Sequence, residues 1–396
     1  MGGGRHVAQS GPDVIEVGSV VAQVAADERA VIVAIVLARL LVPLLIGRFP
    51  LVIVVALVLD GIDNSLLGLF TDVDLGPDGP YQSFDKALDI YYLAIAYLTM
   101  MRNWTSDPAI RIGQFLFYYR LVGVLLFELL DSRAMLLLFP NTFEFYFIVY
   151  ALIALRFEPS RCSARFWLVT AAALWVFVKL PQEYWIHVAQ RDFTDTVADY
   201  PWFGVLSALL VLALVAVVRF AVIPRLPPPD WGWRFAAAPL RPSLTRARPG
   251  VRWGELAEKA TLLALLSVIF ASILPTVEMS GLEVAFGAVV IVCASTAIST
   301  WYARGERMRI ESQALEFAAL LVVNLGLVYI ASRLISDADD FPLGTGLFFA
   351  FLITLLITLY DAYKPVYDAR FTGSRSKVTS VRDLWLTGRR GSVRAR

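Results

Sequence analysis

The chain has 396 residues, of which 58% are hydrophobic and 17% charged, with a formal net charge of +1. A soluble domain carries roughly 45–50% apolar and about 25% charged residues, so this composition excludes a soluble nucleic-acid binder, a disordered chain and a disulfide scaffold. The two cysteines and two histidines lack the short ligand spacing of a thiolate zinc centre.

Residues 1–28 are Gly-rich and then mildly apolar, without the features of a signal peptide, and read as a retained tail. From Arg29 onward the chain repeats apolar runs of the roughly 20 residues that a bilayer demands. They lie near 29–47, 49–70, 84–101, 110–131, 142–156, 166–189, 203–223, 258–275, 279–301, 314–334 and 344–364, the fifth being short. The expected fold is all-α, a polytopic transmembrane helix bundle of ten or eleven spans. Ten applies if the first two form a re-entrant hairpin about Arg48 and Pro50. A Pro-rich stretch beginning at Pro224 opens a basic loop at 224–257. This loop separates an N-terminal membrane half at 29–223 from a four-helix membrane part at 258–364, and a basic tail follows at 365–396.

Cytoplasmic loops accumulate Lys and Arg, so orientation follows from counting. The 224–257 loop holds Arg225, Arg234, Arg241, Arg246, Arg248 and Arg252; the 302–313 loop holds Arg304, Arg307 and Arg309; nine Lys/Arg follow Tyr360. The 71–83, 190–202 and 335–343 connections are instead acidic and fall on the alternate side. The chain is therefore expected in the cell membrane as a multi-pass protein, N-terminus outside and C-terminus cytoplasmic. Its partners are expected to be membrane lipids, with anionic headgroups beneath the basic loop and Trp231, Trp233 and Trp253 at the interface. No nucleic-acid partner is expected. The C-terminal half is a candidate surface for homo- or hetero-oligomers.

Ionisable residues inside spans are costly and mark candidate sites. They concentrate in the N-terminal half. Asp60, Asp63 and Asn64 share one helical face, and Asp85 and Asp89 stand one turn apart on the next span. Four carboxylates brought together need a counter-charge, either a bound cation or an intramembrane base such as Arg39, Lys86 or Arg120. Asp60 lies furthest from either interface, beside Gly61, which would admit a partner backbone or unwind the helix. On the sixth span Lys179, Glu183 and His187 form a second polar stripe around Pro181, which should kink the helix. Arg39 and Arg120 stay charged in any environment and need an internal anion or an anionic ligand.

Asp60-Gly61 followed by Asp85-x-x-x-Asp89 resembles part of the aspartate motif of the CDP-alcohol phosphotransferases. That motif has an aspartate where Leu57 stands, Ala-Arg where Asn64-Ser65 stand, and glycine where Tyr81 stands. The resemblance stays local and assigns no family. Acids in an early outer loop also look like those of polytopic lipid-linked-sugar glycosyltransferases, which would cast Asp72 and Asp74 as base and metal ligands. The expected function is that of a transporter or ion-conducting protein for a cation or small polar solute. Its site would be Asp60, Asp63, Asn64, Asp85, Asp89, Arg39, Arg120, Glu183 and His187. Asp60, Asp63, Asp85 and Asp89 would be the ligands of any metal, monovalent or divalent. The alternatives are a membrane-embedded, metal-dependent transferase acting on a lipid-linked phosphate, and a non-catalytic assembly subunit.

Overall fold

The computed structural model describes residues 26–71, 80–130, 132, 134–185, 193–217, 219–220, 227–239, 253–273, 287–293, 296, 317–326, 329 and 343–375. Among these every regular element is a helix, as expected. In chain order they are α1 (Ala26–Leu41), continued by a 3-10 turn (Val42–Gly47), α2 (Val52–Phe70), α3 (Pro80–Asn103), α4 (Asp107–Leu130), α5 (Ala134–Leu138) and α6 (Thr142–Ala154). Then come α7 (Ala164–Leu174), a π turn (Trp175–Lys179), α8 (Leu180–Glu183), α9 (Phe193–Asp199), α10 (Pro201–Val217) and α11 (Trp253–Ile273). Helical stretches at 287–293 and 317–326 precede the long α12 (Leu343–Arg375). Among the described residues five segments are long and apolar enough to cross a membrane: Ala30–Gly47, Asp107–Leu130, Ala134–Ala154, Ala164–Glu183 and Phe348–Phe371.

The short fifth span, expected near 142–156, is lengthened at its N-terminal side by α5. Pro140, which has no N–H to donate, falls between α5 and α6 and interrupts this segment. Pro181 has a related effect on α7–α8. It removes a donor one turn on, and the helix widens into the π turn, where the Leu180 N–H bonds the Trp175 carbonyl. Helix α12 runs through Pro365 to Arg375, past the expected start of the tail at 365.

Two compact units form, neither of them a continuous stretch of chain. The first takes residues 1–41, 58–91 and 248–359. Its core includes Leu262, Leu263, Leu266 and Phe270 of α11 and Leu352, Ile353 and Leu356 of α12, all at most 2% exposed. Two polar pairs lie inside it: Asn324 Nδ2 donates to Thr354 Oγ1 at 2.9 Å, and Lys259 Nζ to Thr296 Oγ1 at 3.2 Å.

The second unit takes residues 42–57, 92–247 and 360–396. Residues 92–101 of α3 are buried on every side, as expected of a helix that is apolar all round. Aromatic rings pack beside them. Trp104 stacks on Tyr150 at 3.8 Å between centroids, Tyr150 on Trp167 at 5.3 Å, and Tyr97 on Phe117 at 4.3 Å. At one end, residues 227–239 cross as a strap. Asp230 N and Arg234 N bond the Arg156 and Leu155 carbonyls at 3.0 Å each, and Trp231 Nε1 bonds the Ala154 carbonyl at 3.2 Å. Arg48 donates to the Ala237 carbonyl and Arg102 to that of Ala238. Arg370 of α12 donates to the Arg102 and Trp104 carbonyls at the C-terminus of α3. Last-turn carbonyls of a helix lack partners within it, and arginines meet this need here. Part of the 224–257 loop is therefore docked on protein, with Trp231 held against α6.

Two glycines separate close packing from open space. A Cβ on Gly123 of α4 would collide with the side chain of Phe139. A Cβ on Gly61 would meet nothing within 4 Å, and α2 runs unbroken through it. This corrects the expectation that Gly61 admits a backbone or unwinds the helix. Gly123→Leu should therefore cost about 1–3 kcal/mol of stability by overpacking. Gly61→Ala should be neutral or add up to about 1 kcal/mol through helix propensity. Thermal unfolding of the purified variants checks both.

Candidate functional site

Arg39 stands in the last turn of α1 and is only 5% exposed. A buried guanidinium needs anionic partners, and four converge on it. Asp60 and Asp63 come from one face of α2, and Asp85 and Asp89 from successive turns of α3. Nη1 donates to Asp63 Oδ2 and Asp85 Oδ1, and Nη2 to Asp60 Oδ1 and Asp89 Oδ1. The planar fork of arginine suits this, because two terminal nitrogens can each serve two acceptors. Tyr91 Oη donates to the Leu40 carbonyl at 2.9 Å, tying α3 to the end of α1 beside the cluster.

The four acids are not equivalent. The Asp63 side chain is 1% exposed, that of Asp85 17%, of Asp60 25% and of Asp89 40%. Asp63 is thus the inner ligand of Arg39, and the other three line an accessible rim. Carboxylate oxygens of Asp60, Asp85 and Asp89 lie within 4.8 Å of one another, close enough to share one ion. Hard cations take oxygen ligands at roughly 2.0–2.6 Å. Each rim carboxylate gives one oxygen to Arg39. One guanidinium faces four carboxylates, so acids outnumber bases even with Lys86 counted in full.

The sequence-level site is brought together in part. Arg39 and the four aspartates meet as a single cluster. Arg120 belongs to the other unit and donates to the Phe139 carbonyl at 3.2 Å, so the counter-charge role falls to Arg39. Glu183 is also in that unit, 5% exposed, and accepts from the Asn141 backbone N–H at 3.2 Å. Lys179 is buried with its Nζ 4.6 Å from the Phe145 ring centroid. The Asn64 side chain, His187, Asp72 and Asp74 lie outside the described residues. Sequence reasoning passed over Asn141, Thr142 and Tyr92. The Pro140-Asn141 pair ahead of Glu144, inside an apolar segment, was the available signal. Cys162 and Cys293 form no disulfide, and burial pushes the Cys162 thiol up, in keeping with an inert side chain. Comparison with protein-family models, curated proteins and solved structures finds no match for this chain.

Removing the base from this cluster should be far more damaging than removing one acid. Arg39→Gln strands four carboxylates and should cost about 3–5 kcal/mol, the usual result of breaking a buried ion pair from one side. Asp60→Asn leaves Arg39 with three carboxylates and should change folding little. Thermal unfolding decides the matter: an Arg39→Gln chain as stable as its parent would show that Arg39 is no hub.

Proposed function

We propose that this is a polytopic membrane protein that moves a cation, or a small polar solute together with one. Asp60, Asp63, Asp85 and Asp89 form its intramembrane site and Arg39 is the tethered counter-charge. The observation that carries the reading is the imbalance of the cluster, one arginine against four aspartates with three of them on an accessible rim. Apolar surroundings penalise net charge. A mobile cation or protons relieve that penalty, and Arg39 competes with them for the same carboxylates.

Membrane insertion is supported by surface as well as length. Leu69, Phe177 and Phe220 are each at least 75% exposed, and α10 presents apolar side chains on all sides. Soluble monomers rarely carry such extensive apolar patches. Orientation is supported by the strap. Arg48, Arg102, Arg156, Arg234 and Arg370 gather with it at one end of their unit, where Arg156 lies 4.9 Å from the Trp233 ring and Arg234 4.1 Å from the Trp231 ring. A positive end of this kind matches the cytoplasmic face. It also suits the anionic headgroups of the cell membrane, with the C-terminus on that side.

The Asp60–Asp85–Asp89 triad favours one second reading, a metal-dependent transferase acting on a lipid-linked phosphate, because three oxygen ligands also suit a divalent ion. Flux into proteoliposomes separates the two. Under the transport reading the purified chain moves an alkali or divalent cation. Asp60→Asn and Asp89→Asn then each cut the rate about tenfold or more, equivalent to losing one interaction of about 1.4 kcal/mol, while folding stays intact. Flux absent for every cation tested, with divalent-dependent transfer present, would establish the second reading instead. Orientation is checked by placing one cysteine at Ala236→Cys in a chain whose Cys162 and Cys293 are serine. Labelling is expected only from the cytoplasmic side.

A further inference from the structure

Away from the aspartate cluster, two interrupted helical segments in the second unit face each other through polar groups. The first is α5–α6, broken at Pro140; the second is α7–α8, widened at the π turn before Pro181. Such breaks inside apolar segments free backbone groups, and they recur where ions and substrates bind.

At the start of α6, Asn141, Thr142 and Glu144 are 8%, 1% and 2% exposed. Glu144 Oε2 accepts from Tyr92 Oη at 2.5 Å and from Asn141 Nδ2 at 2.8 Å. The Asn141 backbone N–H is taken by Glu183 Oε1 across the gap. Asn141 Oδ1 and Thr142 Oγ1 are among the buried oxygens that make no hydrogen bond to the described residues. The first is notable for its position. Asparagine at a helix N-cap ordinarily turns its oxygen onto the next N–H groups, yet Asn141 makes no side-chain cap. Its amide nitrogen is held by Glu144 instead, and Oδ1 is left buried beside that carboxylate. A buried acceptor that makes no hydrogen bond keeps its desolvation penalty unrelieved, so an occupant that only accepts lone pairs would remove that penalty.

We propose that Asn141 Oδ1, Thr142 Oγ1 and the Glu144 carboxylate bind an alkali-metal cation at the α5–α6 break, with Tyr92 and Glu183 holding the frame. Amide, hydroxyl and carboxylate oxygens are hard ligands, and a single directly ligating carboxylate suits a monovalent charge. This second site goes beyond the proposed function and does not rest on the aspartate cluster.

The test is the melting temperature of the full-length purified chain, titrated with sodium chloride or potassium chloride against choline chloride at constant ionic strength. One of the two alkali salts is expected to stabilise saturably where choline does not. Thr142→Val, which keeps shape and loses the oxygen, should raise the half-saturating concentration about tenfold or more, as loss of one group at an ion site commonly does. Asn141→Asp keeps an oxygen in place and should keep the response. Asp60→Asn should also keep it, so failure of the aspartate site and failure of this one are distinguishable. Equal melting in all three salts would overturn the proposal. So would a response that survives both Thr142→Val and Asn141→Leu.

Discussion

Burying charge among apolar helices is the constraint on which the first unit depends, and Arg39 is its answer. An arginine in the last turn of α1 cannot neutralise itself by losing its proton, so neighbouring segments have to supply anions. Asp60 and Asp63 on α2 and Asp85 and Asp89 on α3 do so by helical spacing alone, one pair three residues apart and the other four. The result over-answers the demand. A pair would have sufficed to satisfy the guanidinium, and four acids leave an excess that makes the cluster a candidate for chemistry as well as a staple. Asp63, sealed at 1% exposure, belongs to the staple, while the three rim acids hold the excess.

The second unit solves a different electrostatic problem with the same residue type. Its arginines donate to carbonyls at helix ends and to the strap, and several rest against aromatic faces. Arg102, for example, lies 5.8 Å from the Tyr363 ring while Arg370 bonds the Arg102 carbonyl. Cation–π contacts and backbone acceptors hold guanidinium groups in place without consuming their charge. The arginines therefore stay charged at that end of their unit.

Much of this is legible in the amino-acid order, because costly groups in apolar runs stand out. The four aspartates and Arg39 are conspicuous for that reason, and their periodicities place each pair on one helical face. Which arginine answers them is less legible: Arg39 and Arg120 look alike as isolated residues, and only packing assigns one to the aspartates and the other to the Phe139 carbonyl. The α5–α6 segment is obscured because Asp131, Ser132 and Arg133 precede it and Pro140 divides it, so neither part alone reaches membrane length. Gly61 misleads in the opposite sense, since a glycine beside an aspartate suggests a bend that the helix does not make. The docking of 227–239 is invisible to composition, because its anchors are backbone carbonyls, which every sequence has.

Under the proposed function, an exchangeable cation relieves the excess negative charge on the Arg39 cluster. Infrared difference spectra of the purified chain, with aspartate carboxyls isotope-labelled, read those groups directly as cations are added to a choline buffer. Saturable shifts of aspartate carboxylate bands are expected, diminished in Asp89→Asn. Aspartate bands unchanged by monovalent and divalent cations alike would contradict that reading, leaving the cluster as a structural tie between α1, α2 and α3.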